Sequence, residues 1–203
     1  MYLGGHKYDD ADLGNMNGKR MYMNAAMMPS DRPASCGFDI PTTPPGAVPA
    51  LLVLKTPLTV ADPVNGTTAP KAIPGATVRY LVGVSNTGTG AVDADTVFVA
   101  DPIPANTVLR VADYDGANPG PVAFVDGATP SGLSYTFTSL GSTTDDVEFS
   151  DNNGATWTYT PVDSGDGTDP AVTDIRINPK GSMAGSSGAG DPSIQMLFKV
   201  VVQ

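Results

Sequence analysis

The acidic residues of this chain constrain its fold more than any other feature. Of the 21 aspartates and glutamates in 203 residues, only Glu148 is a glutamate. Glutamate favours helices, whereas aspartate bonds to nearby backbone in turns and helix caps. The 23 glycines and 19 prolines also interrupt helices. The composition therefore predicts a protein of strands and turns without long helices.

The pattern after residue 50 predicts an antiparallel β-sandwich over residues 50–203. A fully apolar run occupies 51–54, and alternation over 76–85 and 193–202 is typical of strands with one buried face. Further short strands are predicted at 95–100, 108–112, 122–125, 134–137, 147–150, 156–160 and 175–178. Short strands without crossover helices favour a sandwich. The residues expected in its core are Val78, Tyr80, Val82, Val84, Phe98, Phe198 and Val200.

Residues 1–49 differ from the rest and are predicted to form an N-terminal arm. They hold most of the methionines, and their last ten residues are rich in proline, which favours a stiff, extended linker. One stretch within the arm, residues 21–27, fits a single strand with no hairpin partner nearby. Its residues expected to mediate assembly are Met21, Tyr22, Met23, Ala25 and Met27.

Four segments in order carry a family resemblance. They are LVLKT at 52–56, IPGATVRY at 73–80, VSNTGTG at 84–90 and VADPIPAN at 99–106. Together they resemble the repeat domain of bacterial surface proteins called domain of unknown function eleven. The resemblance implies an Ig-like β-sandwich, exported to the cell surface of a Gram-negative bacterium, and implies no chemistry. This chain differs from the usual arrangement because it has one copy of the domain and adds the arm.

The charge of the chain argues against several partners. The formal net charge is −10 and the sequence pI is about 4.2, so no basic surface is available to neutralise the phosphates of a nucleic acid. An anionic membrane surface is disfavoured for the same reason. No apolar run approaches the roughly 18 residues that a membrane-spanning helix needs. We therefore expect neither nucleic-acid binding nor a membrane span.

Catalysis is not expected from this sequence. His6 is the only histidine and Cys36 the only cysteine, and both belong to the arm. A catalytic triad that pairs a nucleophile with a histidine would therefore have to use His6 of the arm. The neighbouring Asp145, Asp146 and Glu148 could in principle hydrolyse a glycoside, but a solvated acidic loop is the simpler interpretation.

Calcium is the one cofactor that the sequence leaves open. Asp163, Asp166 and Asp169 lie in a glycine-rich loop and could offer carboxylate oxygens to calcium, and residues 113–118 form a second candidate. The alternative is that both segments are ordinary β-turns. Lys55 ends the first predicted strand, which is the position of the lysine in the internal isopeptide crosslinks of some surface sandwiches. The last strand offers no Asn or Asp to receive it.

These observations predict a structural protein that is not an enzyme. The preferred hypothesis is a subunit of an extracellular filament, a homopolymer in which the arm of one copy adds a strand to the next by head-to-tail contacts. The alternative is a non-polymerising surface, adhesion or coat module that binds another protein or a glycan. The apolar run at 51–54 is expected to be buried on both faces, or covered by the arm or a neighbouring chain.

Overall fold

A computed structural model describes residues 46–203 and shows an all-β protein. Within these residues there is no helix, and every strand pairing is antiparallel, which confirms the predicted fold class. The strands are β1 (Leu51–Ala61), β2 (Thr77–Asn86), β3 (Val99–Pro102), β4 (Thr107–Arg110), β5 (Ala123–Asp126), β6 (Leu133–Ser134), β7 (Val147–Ser150), β8 (Thr168–Asp169), β9 (Asp174–Ile177), β10 (Lys180–Gly181) and β11 (Ser193–Val202).

The strands form two main sheets that share one core. The larger sheet has the order β1-β2-β11-β4-β8, and β5 pairs with the first half of β11. The smaller sheet has the order β3-β9-β7, and β6 and β10 form a separate short pair. Strand β11 is central because it pairs with β2 along one side and with β5 and β4 along the other.

The core lies between the inner faces of the two sheets. The larger sheet contributes Val78, Val82, Val84, Phe198 and Val200, all of which are buried. Tyr80 is half-buried and stacks on Phe198, with ring centroids 5.5 Å apart. The smaller sheet contributes Val147, Phe149, Ile175 and Ile177. Alternation along β2 and β11 directs these side chains to one face.

Phe98 does not belong to the core, contrary to the sequence prediction. Its side chain is 56% exposed and lies near the Arg176 guanidinium, 5.5 Å from the ring centroid. Val97 is buried in its place. The residues before β3 form a turn in which Asp95 has a φ of 60°, so the strand starts at Val99 rather than at residue 95. The side chain that enters the core is consequently shifted by one residue.

Two other predicted strands are also shorter or absent. The strand predicted at 134–137 is limited to Leu133–Ser134. The one predicted at 156–160 is reduced to a single bridge between Phe149 and Tyr159. Its expected partner, β7, pairs instead with β9, which is supplied by residues farther along the chain. Local turn signals identified the loop at 151–155 correctly but could not reveal this non-local pairing.

Candidate assembly edge

Strand β1 forms an edge of the larger sheet. It pairs with β2 over its whole length, and no other strand of residues 46–203 pairs with it. We call its unpaired side the open edge. Natural edge strands are usually blunted by charges, prolines or bulges, because unpaired backbone groups invite another strand. At β1 such features are restricted to the second half: Lys55, Pro57 and an irregularity between Thr59 and Ala61.

The first half of β1 is apolar and exposed on both faces. Leu52 and Leu54, which face away from the core, are 60% and 65% exposed. Leu51 and Val53 point to the inner side, yet they are 46% and 56% exposed. The burial that the sequence predicted for this run is therefore absent within the described residues. The reason is its edge position, since a fully apolar pattern cannot distinguish a buried central strand from an uncovered edge.

Several backbone groups in the first half of β1 point away from β2, and no strand of residues 46–203 pairs with them. At Ala50 the amide donates to Asn86 Oδ1 over 3.0 Å and the carbonyl accepts from the Thr87 amide over 2.8 Å, so both groups point toward β2. Backbone groups of an antiparallel strand alternate in direction. Leu51, Val53 and Lys55 therefore direct their amides and carbonyls to the open edge. Pro57 has the same orientation but has no amide hydrogen, so a continuous ladder of donors ends there.

A shallow apolar hollow lies beside the open edge on the outer face. Its volume is about 220 Å³, and its walls include Leu52, Leu54 and Leu81. Gly83 leaves the space between them empty, since an added Cβ would meet only ordinary contacts, the nearest being Leu81 Cδ2 at 3.8 Å. An adaptable apolar side chain on an added strand would fit this hollow.

Asn86 fixes the start of β1 and is fully buried. Its Oδ1 accepts hydrogen bonds from the amides of Ala50 and Gly88, while its Nδ2 donates to the carbonyls of Gly90 and Ala184. All the polar capacity of the side chain is thus used. The asparagine that carries part of the family resemblance has a structural role that sequence reasoning did not assign.

The last residues of the predicted linker pack against the sandwich. The Gly90 amide donates to the Val48 carbonyl over 3.0 Å. A Cβ at Gly88 would come within 2.3 Å of the Val48 oxygen, and one at Gly90 within 2.5 Å of the Ala47 oxygen. Only glycine allows this approach. The boundary between arm and sandwich was predicted after residue 49, but residues 47–49 already contact the turn at 86–90.

The end of β1 is held by Asp62. Its carboxylate accepts hydrogen bonds from the amides of Val64, Asn65 and Lys71, and from the Asn65 side chain. These donors, first of all Asn65, lower the pKa of Asp62 well below its ordinary value. Both ends of the edge strand are therefore fixed by a polar side chain, and the apolar first half lies near the Asn86 end.

The arm residues predicted to mediate assembly lie outside the described residues. These are Met21, Tyr22, Met23, Ala25 and Met27. His6 and Cys36, which were weighed for catalysis, also lie outside the described residues.

The predicted calcium residues serve as turn acceptors. Asp163 Oδ1 accepts from the amides of Gly165 and Gly167, and Asp166 Oδ1 from the amide and hydroxyl of Thr168. The Thr168 hydroxyl contributes most to lowering the pKa of Asp166. Asp169 accepts hydrogen bonds from Tyr159 Oη and from the amides of Val162 and Ala171. No cluster of three metal-ligating side chains occurs among residues 46–203.

The second predicted calcium segment is built in the same way. Asp115 accepts from the amides of Ala117 and Asn118 and from the Asn118 side chain, which lowers its pKa, and Asp113 accepts from the Gly120 amide. The bonds from the Ala117 and Asn118 amides to Asp115 are those of an Asx turn, whereas the bond from Gly120 to Asp113 closes the longer loop between them. The aspartates of both segments thus have hydrogen-bond partners within the chain, and calcium binding stays a prediction.

The three neighbouring carboxylates at 145–148 face different partners. Asp145 accepts from the Thr138 amide, whereas Asp146 is buried and accepts from the Thr136 amide. Burial raises the pKa of Asp146. Glu148 pairs with the Arg176 guanidinium at 2.5 Å. Each carboxylate thus has a structural partner of its own.

Comparisons with family models, curated proteins and solved structures produced no match. Residues 46–203 contain no helix long and apolar enough to cross a membrane.

Proposed function

We propose that this protein is a structural subunit of an extracellular bacterial filament or surface appendage. In this proposal, residues 21–27 of one copy add a strand to the open edge of β1 in the next copy. The observation that supports it is the exposed apolar first half of β1, whose free backbone groups lie beside an apolar hollow. A long, uncovered hydrophobic edge is a hazard in a monomer and an acceptor in an assembly.

The proposed donor and acceptor are compatible in their side chains. In an extended segment Met21, Met23, Ala25 and Met27 lie on one side. Methionine is unbranched and polarizable, so it adapts to irregular apolar surfaces such as the hollow at Gly83. The donor stretch carries no charge between Met21 and Met27. Its pairing with Leu51–Lys55 would therefore bring no unpaired charge to the open edge.

The same contact generates a filament when it is repeated. Each subunit has one donor and one acceptor, and they are different surfaces, so the contact is heterologous. Such contacts continue along an open chain unless the rotation between subunits closes a ring. The net charge of −10 would keep the assembled surface soluble. The extracellular location of the proposal rests on the family resemblance.

A single backbone change tests this function in the full-length protein. Val53→Pro removes an amide hydrogen that faces the open edge and leaves the hydrogen bonds between β1 and β2 in place. Pro57 already occupies an equivalent outward position four residues later. The matched control is Val53→Ala, which shortens the side chain and keeps the amide. We expect fibres by electron microscopy for the parent and the alanine variant, and folded monomers for the proline variant.

Truncation provides the second arm of the test. Deletion of residues 1–40 should leave a folded, soluble monomer that a synthetic peptide of residues 20–27 can bind. Light scattering on the parent and truncated proteins measures their size. A full-length protein that stays monomeric at high concentration would disprove the filament and favour the non-polymerising adhesion or coat module. If the Val53→Pro variant assembles as well as the parent, the acceptor is not the open edge of β1.

A further inference from the structure

Three positively charged side chains form a row across the outer face of the larger sheet. Arg79 in β2 is the cross-strand partner of Lys199 in β11. Arg110 in β4 lies opposite the same lysine on the other side, because the adjoining Leu109 and Val200 are paired. Each member of the row adjoins core-facing residues along its strand, so alternation directs the row away from the core. Three of the 11 lysines and arginines of an acidic chain thus lie side by side.

This cationic row is not neutralised within residues 46–203. None of the ion pairs described there includes a member of the row. The Nε atom of Arg79 is buried and has no hydrogen-bond partner among these residues. Burial first, and then the charges of Arg110 and Arg79, lower the pKa of Lys199. Like charges directly opposite each other destabilise a sheet, so the row costs stability that an added anion would restore.

Two aspartates influence the cationic row, but both are engaged in turns. Asp115 counteracts the lowering of the pKa of Lys199, and Arg110 adds a small part to the lowering of the pKa of Asp166. The carboxylate of Asp115 accepts from its own turn, and that of Asp166 accepts from Thr168. The row therefore keeps positive charge that is available to an anion from outside.

A hollow lies at this end of the sheet and is bordered by two members of the row. Its volume is about 340 Å³, within the range of about 300–1,000 Å³ that is typical of small-molecule sites. Three kinds of side chain form its walls, namely cationic, hydroxyl-bearing and aliphatic: Arg110 and Lys199, Thr67 and Thr77, Val60 and Ala61. The hollow thus combines charge, hydrogen-bonding groups and apolar surface.

Neighbouring residues position the walls of the hollow. Lys199 Nζ donates to the Tyr114 carbonyl over 2.6 Å and lies 4.2 Å from the centroid of the Tyr114 ring. An ammonium has three donors, so two remain for a ligand. Thr67 belongs to the loop that the Asp62 carboxylate closes by accepting from the amides of Asn65 and Lys71. The arrangement is therefore fixed before any ligand binds.

We propose that this hollow binds a carboxylated sugar, a hexuronic acid unit of an acidic polysaccharide. The sugar carboxylate lies between Arg110 and Lys199, since charge-assisted hydrogen bonds are the strong ones. The two threonine hydroxyls bond to hydroxyls of the sugar, and the aliphatic wall covers a C–H face of the ring. A simple inorganic anion would use only the two cations, whereas a uronic acid uses all three kinds of side chain.

The inference is independent of the proposed filament. The hollow involves the last residues of β1, Val60 and Ala61, whereas the apolar half of the open edge is at residues 51–55. Sugar binding and fibre formation can therefore fail separately. Val53→Pro, which is expected to stop fibre formation, should leave sugar binding unchanged.

Thermal unfolding of the full-length protein with and without trigalacturonate tests the site. A ligand that binds only the folded state raises the unfolding temperature. We expect trigalacturonate to stabilise the parent, and Arg110→Gln to weaken its apparent affinity at least about tenfold. Without ligand this variant should unfold at the parent temperature or above it, because a like-charge contact is removed.

Two further variants separate the sugar from the charge. Thr77→Val keeps every charge and a similar shape, and it should weaken trigalacturonate binding about fivefold through the lost hydroxyl. The matched control is Lys180→Gln, which removes the same charge from β10, in a separate short sheet. This control should bind as the parent does. Parent-like binding by Arg110→Gln, or equal weakening by Lys180→Gln, would overturn the proposal.

Three other probes identify the class of ligand: neutral galactotriose, inorganic sulfate and an acidic peptide of residues 143–151. Each should stabilise the parent much less than trigalacturonate does. Equal stabilisation by galactotriose would mean that the cations do not select the ligand, and equal stabilisation by sulfate that any small anion suffices. A stronger effect of the peptide would identify a protein partner instead. Each of these three results would reject the carboxylated sugar.

Discussion

Strands β1 and β11 of the larger sheet are both long and largely apolar, yet only β11 is buried. In β11 the core-facing side chains of Ile194, Met196 and Phe198 are at most 1% exposed, whereas Leu51 and Val53 on the same face of β1 are 46% and 56% exposed. Among the strands of residues 46–203, β11 has neighbours on both sides and β1 has a neighbour on one side. The position in the sheet, rather than hydrophobicity, decides the burial. The apolar character of β1 is therefore not explained by the core of its own domain.

The largest expected effect breaks the core at β11. Phe198→Ala removes a fully buried ring that packs against Tyr80, and we expect a loss of about 3–5 kcal/mol in the free energy of unfolding. The control is Phe98→Ala, whose ring is 56% exposed, with an expected loss below about 1 kcal/mol. Urea denaturation measures both. Equal losses would mean that the assignment of the two phenylalanines is wrong.

A somewhat smaller effect is expected where β1 is attached. Asn86→Ala leaves the buried groups that Asn86 satisfies without partners, and we expect a loss on the order of 3 kcal/mol. Asn86→Asp keeps the acceptors for Ala50 and Gly88 but loses both donors. It should therefore fall between the parent and the alanine variant in the same urea titration. An alanine variant as stable as the parent would show that water replaces the side chain.

Substitution at the exposed face should separate stability from assembly. Leu54→Ser changes a side chain that lies largely in solvent, so the free energy of unfolding should change by less than about 0.5 kcal/mol. Self-association should nevertheless weaken, which would appear as a higher protein concentration needed for light-scattering growth. Thr59→Ser, in the blunted half of β1, is the control. A loss of stability without any loss of association would identify Leu54 as a core residue.

The smallest expected effect concerns pH at the far end of β1. The pKa of Asp62 is lower in the folded protein than in the unfolded chain, because its donors favour the charged form. Its contribution to stability is complete above the ordinary aspartate pKa and is lost as the pH falls below it. Asp62→Asn should therefore flatten the decline of stability in acid. Thermal unfolding from neutral to acid pH measures the slope, and an unchanged slope would contradict the assignment.

The sequence predicts where the strands of this fold lie better than it predicts which strands pair with each other. Alternation identifies β2 and β11, and the bias toward aspartate correctly predicts that residues 46–203 contain no long helix, since both signals are local. The open edge is different. Ile194 is paired opposite Val84 although more than a hundred residues separate them. No local pattern reveals that β11 pairs with one side of β2 and leaves β1 at the edge of the sheet.

Two features of the candidate site could be predicted only in part from the sequence, because they also depend on contacts between distant residues. The run at 51–54 was identified as apolar, but β1 continues to Ala61 through Pro57, a residue that usually ends a strand and is tolerated at an edge. Lys55 was recognised as a possible reactive group, but its neighbour Asp101 belongs to the other sheet. Contacts between layers depend on the packing of the whole sandwich.

The parallel course of β1 and β11 has a mechanical consequence. Both pair with β2, and β1 begins at the Asn86 end of the sheet, whereas β11 finishes at the Thr77 end. A force that pulls Ala50 and Val202 apart would act along the strands and load many hydrogen bonds in shear at once. Unzipping, in which bonds break one after another, would require a pull across the sheet. The domain should therefore resist stretching along its strands far more strongly than it resists peeling.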